Sequence, residues 1–299
     1  MELLALLGYA VPVAIPLGYL SARWRWLNRR RTILLTALIV NFLLPLFMFY
    51  SLSQSTLTWG SSGVVALAAL LMPLVSSLIT RPLARWRGVP ARERILPMSF
   101  PNTGNLGVPL STLLFGRTGM ELSVMFALII GLLHYSYGVA LVGARGSIRQ
   151  GISAVLHLPL FYAAVTGLLL NGYAFDPLLA RLLALLALPA FPCMLFLLGA
   201  SLHNTCLPCL RDAAWWAGWK YGISFGIVAL LIMASGASGI TASVLLLSAG
   251  LPSAVATILL TRRYDADPVF ASTMVALTTL LTAVIAPGVW LLARALGFC

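Results

Sequence analysis

Between Ile95 and Phe115 the chain carries an apolar run long enough to cross a bilayer. Its middle reads Ser99-Phe100-Pro101-Asn102-Thr103-Gly104-Asn105-Leu106-Gly107-Val108-Pro109-Leu110. A helix cannot pass through such a stretch intact, because proline removes a donor and crowds the preceding turn while glycine releases φ. In hydrocarbon the freed N–H and C=O groups must be satisfied, so broken backbone is tolerated only where protein or a water-filled cavity surrounds it. A proline kink repaired by neighbouring helices is the simpler alternative, but it needs one proline and no amide side chains. Two prolines, two asparagines and a threonine together predict a substrate site at mid-membrane.

The rest of the chain is built to carry this stretch. Only 9% of its 299 residues are charged and 61% are hydrophobic, with a mean hydropathy of +0.99; soluble domains carry about 25% charged residues. The pattern predicts an all-α membrane protein of ten spans, at about 2–20, 32–51, 63–80, 95–115, 121–142, 153–172, 177–201, 213–234, 240–261 and 268–293. Met1-Glu2-Leu3-Leu4 lacks the basic start of a signal peptide, so the first span is read as retained. The connections are short and leave no room for a soluble domain. A net charge of +12 would suggest a nucleic-acid partner in a soluble protein; here the arginines sit between apolar runs and topology accounts for them.

Arginine placement sets the orientation. Arg23, Arg25, Arg29, Arg30 and Arg31, then Arg81, Arg85, Arg87, Arg92 and Arg94, then Arg145, Arg149, Arg211, Arg262 and Arg263 all fall in the links from odd to even spans. Arg117, Arg181 and Arg294 fall on the other side. By the positive-inside rule the odd-to-even links are cytoplasmic and both termini face outward, which suits a multi-pass protein of the cell (inner) membrane. Trp24, Trp26, Trp86, Trp215 and Trp216 at the inner boundary and Trp59 and Trp290 at the outer one agree with interfacial belts. Lys220, one turn deeper than Trp216, is expected to snorkel to the cytoplasmic interface.

Division near residue 150 gives two halves, 1–143 and 153–299, of five spans each. The fourth span of the second half contains Ser248-Ala249-Gly250-Leu251-Pro252-Ser253-Ala254, again proline among small and polar residues. An odd number of spans per half forces the halves into opposite orientations. Inverted repeats interrupted at matching positions point to a transporter whose site lies where the two breaks meet.

Asn102-Thr103-Gly104-Asn105-Leu106-Gly107-Val108-Pro109, Leu198-Gly199-Ala200-Ser201-Leu202 and Leu251-Pro252-Ser253-Ala254-Val255 through Tyr264-Asp265-Ala266-Asp267 resemble, in that order and across the chain, the auxin efflux carrier family. The resemblance implies one transmembrane transporter domain, 1–299, with ten helices in two inverted five-helix repeats and broken helices 4 and 9 crossing. Bile-acid/sodium symporters and sodium/proton antiporters share that architecture. It further implies a scaffold of helices 1, 2, 6 and 7, often a homodimer surface, and a moving unit of helices 3–5 and 8–10. Bacterial members are associated with dicarboxylates such as malonate and malate, plant members with auxin. The link from Gly143 to Ile152 is short, which favours the bacterial type.

Unwinding exposes helix N-termini with unpaired N–H groups and about half a positive charge each, a natural receptor for an organic carboxylate. Asn102, Thr103 and Asn105 are the expected donors, Ser253 adds a hydroxyl from the opposite break, and Gly104 and Gly107 allow close backbone approach. Pro109 and Pro252, which open the two helices, complete the substrate-binding set. Each asparagine has capping of freed backbone as its alternative role. Asn41 near Pro45 faces the cavity from the scaffold or bonds between helices. His134 either carries a coupling proton or makes an interhelical hydrogen bond; His157 says little.

The acids Glu2, Glu93, Glu121, Asp176, Asp212, Asp265 and Asp267 all fall at span ends or in links. A cation/proton exchanger needs a carboxylate at mid-depth, so a secondary carrier of a small organic anion is favoured over a sodium- or proton-coupled symporter or exchanger of the bile-acid type. An intramembrane enzyme would need a nucleophile–base pair or a metal cluster, and none is evident, so no enzyme, cofactor or metal is expected. His203-x-x-Cys206-x-x-Cys209 has ligand-like spacing, but it supplies only three groups in a cytoplasmic link, and proline with a short turn explains its compactness.

Overall fold

A computed structural model describes residues 2–56, 59–143, 153, 155–202 and 209–298. His203 and Cys206, with most of the link from Gly143 to Ile152, lie outside the described residues. The described chain is helical throughout, its only strand-like pairing being an isolated bridge between Pro101 and Ser253. The helices are α1 (Glu2–Arg23), α2 (Arg29–Leu38), α3 (Leu44–Ser53), α4 (Trp59–Trp86), α5 (Ala91–Ser99), α6 (Val108–Leu133), α7 (Val139–Val142) and α8 (Pro159–Leu169). They continue with α9 (Pro177–Ala187), α10 (Ala190–Ser201), α11 (Leu210–Ser235), α12 (Gly239–Ala249), α13 (Ala256–Arg263) and α14 (Pro268–Ala295). Single π turns over Ile39–Leu43, Thr103–Gly107 and His134–Gly138 lead into α3, α6 and α7.

Six stretches among the described residues are long and apolar enough to span a membrane: Arg30–Ser53, Ser62–Trp86, Thr103–Val142, Pro177–Ala200, Leu210–Ser235 and Pro268–Ala295. The molecule is a multi-pass membrane protein. Its outer faces carry Leu169, Leu230, Met233, Leu280 and Val284 exposed, as a surface solvated by lipid requires. Thr103–Val142 contains 40 residues, about 60 Å of helix at 1.5 Å per residue, twice the hydrocarbon thickness. It is folded in two at Gly116 (φ 64°, ψ −149°), a conformation that favours glycine. Beyond the fold, a Cβ on Gly119 would lie 2.7 Å from the Ser111 carbonyl, so the second arm returns along the first.

Both breaks have the same local cause. A residue that precedes proline is pushed out of the helical region into extended backbone. Phe100, before Pro101, has φ −109° and ψ 108° and ends α5; Leu251 stands before Pro252 just beyond α12. The two extended pieces cross and pair in antiparallel fashion. The Asn102 N–H donates to the Pro252 carbonyl (2.7 Å) and the Ala254 N–H to the Phe100 carbonyl (2.9 Å).

Elsewhere close packing and capping fix the helices. α1 crosses α10 where Gly18 faces the Phe196 carbonyl and Gly199 faces the Ile15 carbonyl, so a Cβ at either glycine would collide with backbone; small residues serve helix contact in membranes in this way. α9 and α14 start with Pro177 and Pro268 behind the capping carboxylates of Asp176 and Asp267. At one end of the bundle Arg94, buried beneath the Phe270 ring, pairs with Asp267 (2.8 Å), Glu93 (3.6 Å) and Asp212 (3.7 Å). Arg92 donates to the carbonyls of Tyr264 and Asp265. These bonds tie the segment before the first break to the segment after the second.

The candidate binding site at the crossing

One apolar body joins α4, α5, α6, α11, α12 and α14; another joins α3, α6, α8 and the α9–α10 pair. A cavity of about 310 Å³ is lined by members of both, Ile130 and Ala254 from the first and Met48, Ala127 and Leu160 from the second. The first break enters its wall with Pro101, Asn102, Thr103, Gly104 and Asn105. Among the described residues no carboxylate lines it, and Arg262 is the one arginine that does.

Three hydroxyls on this wall are spent on backbone: Thr32 donates to the Asn28 carbonyl, Thr36 to the Thr32 carbonyl and Ser272 to the Val269 carbonyl. Asn102 is different. It is buried, and its Nδ2 has no hydrogen-bond partner among the described residues. An orphaned amide donor in a low-dielectric wall loses the full desolvation free energy unless something else accepts from it. Thr103 is buried beside it, and Asn105 is half-buried on the same π turn. A Cβ on Gly104 would meet nothing within 4 Å, so its backbone borders open space. Gly107 does its work elsewhere: a Cβ there would come within 2.7 Å of the Leu251 side chain, so the close approach is to the opposite break.

His134 lines the cavity from the third π turn. Its ring stacks on Phe100 (centroids 4.3 Å apart, planes at 6°), and its Nε2 is also without a hydrogen-bond partner among the described residues. The residue before the first break is thus clamped by the imidazole. The interhelical hydrogen bond expected as the alternative for that nitrogen is not made.

The remaining candidates lie apart. Ser253 is fully buried behind the wall; its hydroxyl donates to the Pro97 carbonyl (2.6 Å) and its N–H to Thr278 Oγ1 (3.0 Å). The physical reason is local. In an unbroken helix the Pro97 carbonyl would accept from residue 101, which is proline and has no N–H, so Ser253 fills that vacancy. Pro252 is buried with its carbonyl on Asn102, and Pro109 is buried in the first turn of α6; neither lines the cavity. Asn41 is exposed on the outside of its π turn beside Phe42 and Leu38, while its neighbours Ile39 and Val40 face the cavity. The expected Asn41 contact with the cavity is not made. Lys220 does not snorkel: it is 1% exposed and its Nζ donates to the Leu251 carbonyl (2.8 Å).

Two features of the site escaped the sequence. Arg262 falls on the lining face of α13 together with Val255, Ile258 and Leu259; the helical spacing of these four would have revealed it. The Phe100–His134 stack had no sequence signal, because the partners are distant in the chain. At the opposite end of the α3–α6 contact lies a second cavity of about 240 Å³, with Phe47, Tyr50, Ser51, Arg117 and Glu121 on its wall. There the buried Glu121 carboxylate accepts from Arg117 Nε (2.9 Å) and the Thr56 N–H (3.0 Å), joining the fold at Gly116 to the end of α3.

Comparison with known proteins agrees with this picture. The model of a family described as membrane transport protein matches residues 9–154 and 152–290. A protein of Methanothermobacter thermautotrophicus, described as an uncharacterized transporter, is 25% identical over 286 residues, 93% of this chain and 94% of its own.

Proposed function

Since the chain belongs to the membrane transport protein family, that of the auxin efflux carriers, we propose that it is a secondary carrier for a small organic anion. The anion is a carboxylate or dicarboxylate such as malonate or malate, or an auxin-like acid, moved across the cytoplasmic membrane by alternating access. The observation that carries this reading is the Asn102 amide, buried and, among the described residues, unpartnered on the wall of a cavity that no described carboxylate lines. A carboxylate oxygen accepting from Asn102 Nδ2 satisfies that donor, and Asn105, Thr103 and the N–H groups entering α6 surround the same charge. Arg262 on the same wall adds attraction for an anion, and His134 presents its free nitrogen to the ligand.

In this reading the chain makes ten crossings: α1, α2–α3, α4, α5 to Gly116, Arg117 to α7, α8, α9–α10, α11, α12–α13 and α14. They form inverted repeats 1–143 and 153–299 with both termini on the outer side. Helices 1, 2, 6 and 7 are the scaffold, and the exposed stripe of Leu34, Leu38, Asn41 and Phe42 is the surface through which two copies would pair. The Glu121 contacts with Thr56 then close the outer side and have to open for the moving unit to travel.

Uptake of radiolabelled malonate and malate into proteoliposomes, with and without imposed proton and sodium gradients, tests the proposal. Saturable uptake is expected, and Asn102→Ala and Asn105→Ala are each expected to lower it about tenfold or more while leaving the protein folded. Wild-type flux in both variants would refute the site.

A further inference from the structure

The bundle holds a cation that the anion site does not use. Lys220 is the only lysine in the chain, and it lies ten residues into α11, which runs Leu210–Ser235. At 1.5 Å per residue that is about 15 Å from the helix start, half the hydrocarbon thickness. A charge at such depth is a functional group by default, with its partner to be named. Its recorded partners are the Leu251 carbonyl (2.8 Å) and the face of the Tyr221 ring (5.0 Å). No carboxylate among the described residues lies within ion-pair distance of it: Glu93, Asp212 and Asp267 are engaged by Arg94, Glu121 by Arg117, Asp176 caps α9, and Asp265 sits in the exposed link before α14.

The position of the partner matters. Leu251 lies just past α12, at the carbonyl end of a broken helix, where the macrodipole leaves about half a negative charge. In transporters with broken helices such carbonyl ends, with unwound backbone, coordinate the sodium ion or proton that is cotransported. Here a side-chain ammonium stands there. The next residue, Pro252, accepts the Asn102 N–H, and Ser253 is held by Thr278, whose carbonyl in turn accepts from the Tyr221 hydroxyl (3.1 Å). Lys220 therefore holds the strand on which the binding asparagine rests.

We infer that Lys220 is a tethered counter-cation of the carrier. Its ammonium occupies the place of a mobile coupling ion at the second break, holds that break closed against Asn102, and travels with the loaded site, so that the anion crosses without sodium. The inference rests on the anion-carrier reading above and concerns the coupling of that same site.

Malonate counterflow in proteoliposomes, with membrane potentials set by potassium and valinomycin, tests it on wild type, Lys220→Arg and Lys220→Gln. Wild-type counterflow is expected to be equal in sodium and choline media, and Lys220→Arg to stay within a few-fold of it. Lys220→Gln keeps a donor but loses the charge; its rate is expected to fall at least tenfold. The voltage dependence of its residual exchange is expected to shift by one elementary charge, which lost packing alone would not produce. Sodium-dependent wild-type counterflow, or a Lys220→Gln variant with wild-type rate and voltage dependence, overturns the inference. Thermal unfolding of the purified wild type in sodium, potassium and choline chloride decides it without a substrate. Equal melting temperatures are expected, and a sodium-specific rise overturns it. Absence of malonate counterflow in wild type with equal melting temperatures would count against the anion reading and not against the lysine.

Discussion

The two breaks share a cause and differ in use. Each follows from a proline that forces its predecessor out of the helix, and the two are joined by paired backbone hydrogen bonds. Around the second, the groups of the crossing strand have local partners: the Leu251 carbonyl has Lys220, the Pro252 carbonyl has Asn102, and Ser253 has Pro97 and Thr278. Around the first, Asn102 Nδ2 and His134 Nε2 have none among the described residues, and Gly104 borders open space. Matching breaks thus need not be equivalent half-sites. One is satisfied by protein and serves as a rigid support; the other keeps unpartnered groups, which the proposed reading assigns to the ligand. Satisfied polar groups give a protein its stability, and unsatisfied ones give it affinity for something else.

That contrast predicts which variants change transport and which change stability. Asn102→Ala removes a donor that no protein group uses, so the melting temperature should hold. Uptake should fall about 10- to 100-fold, the worth of a hydrogen bond to a charged group at about 1.5–3 kcal/mol; a matching loss of thermal stability would dissolve the contrast. Thr278→Val, of nearly the same shape, strands the buried Ser253 N–H and should lower unfolding stability by about 1–3 kcal/mol. Its KM for the proposed anion should stay within about twofold, since a solid support that is weakened but folded still presents Asn102. Replacement of His134 by phenylalanine keeps the stack on Phe100 and removes the free nitrogen, so a decrease in uptake of about fivefold or less with unchanged melting is expected, the nitrogen being a neutral partner at about 1 kcal/mol. Gly104→Ala adds a methyl group to open space, and its effect on uptake should be about twofold or less, with slightly greater stability from the better helix former. A large loss there would mean that the ligand sits in contact with the Gly104 backbone.

Much of the fold could be read along the chain, because bilayer depth and backbone satisfaction act on consecutive residues. Pro101, Asn102, Gly104 and Asn105 betray a break wherever they stand in an apolar run, and the run around Pro252 repeats the signal. The direction in which each break faces could not be read. Ser253 looks as suited to a ligand as Thr103, and only the crossing reveals that its hydroxyl replaces the N–H which Pro101 lacks. Lys220 looked like a snorkelling residue because sequence gives distance along α11 but not which neighbour lies across from it. Asn41 adjoins residues that line the cavity, yet the turn that carries it sends it outward; a π turn adds one residue to the helical period and rotates the following faces. The Phe100–His134 stack and the Glu121 contacts join residues remote in the chain and depend on packing alone.

Cysteine accessibility at the two breaks tests the central contrast most directly and needs no knowledge of the substrate. A cysteine introduced at Gly104 and one introduced at Ser253, each in a background with native cysteines replaced, can be exposed to a small charged thiol reagent in membranes opened to both sides. The account predicts rapid modification at position 104 and none at position 253. Equal modification of both, or modification at 253 alone, would contradict it.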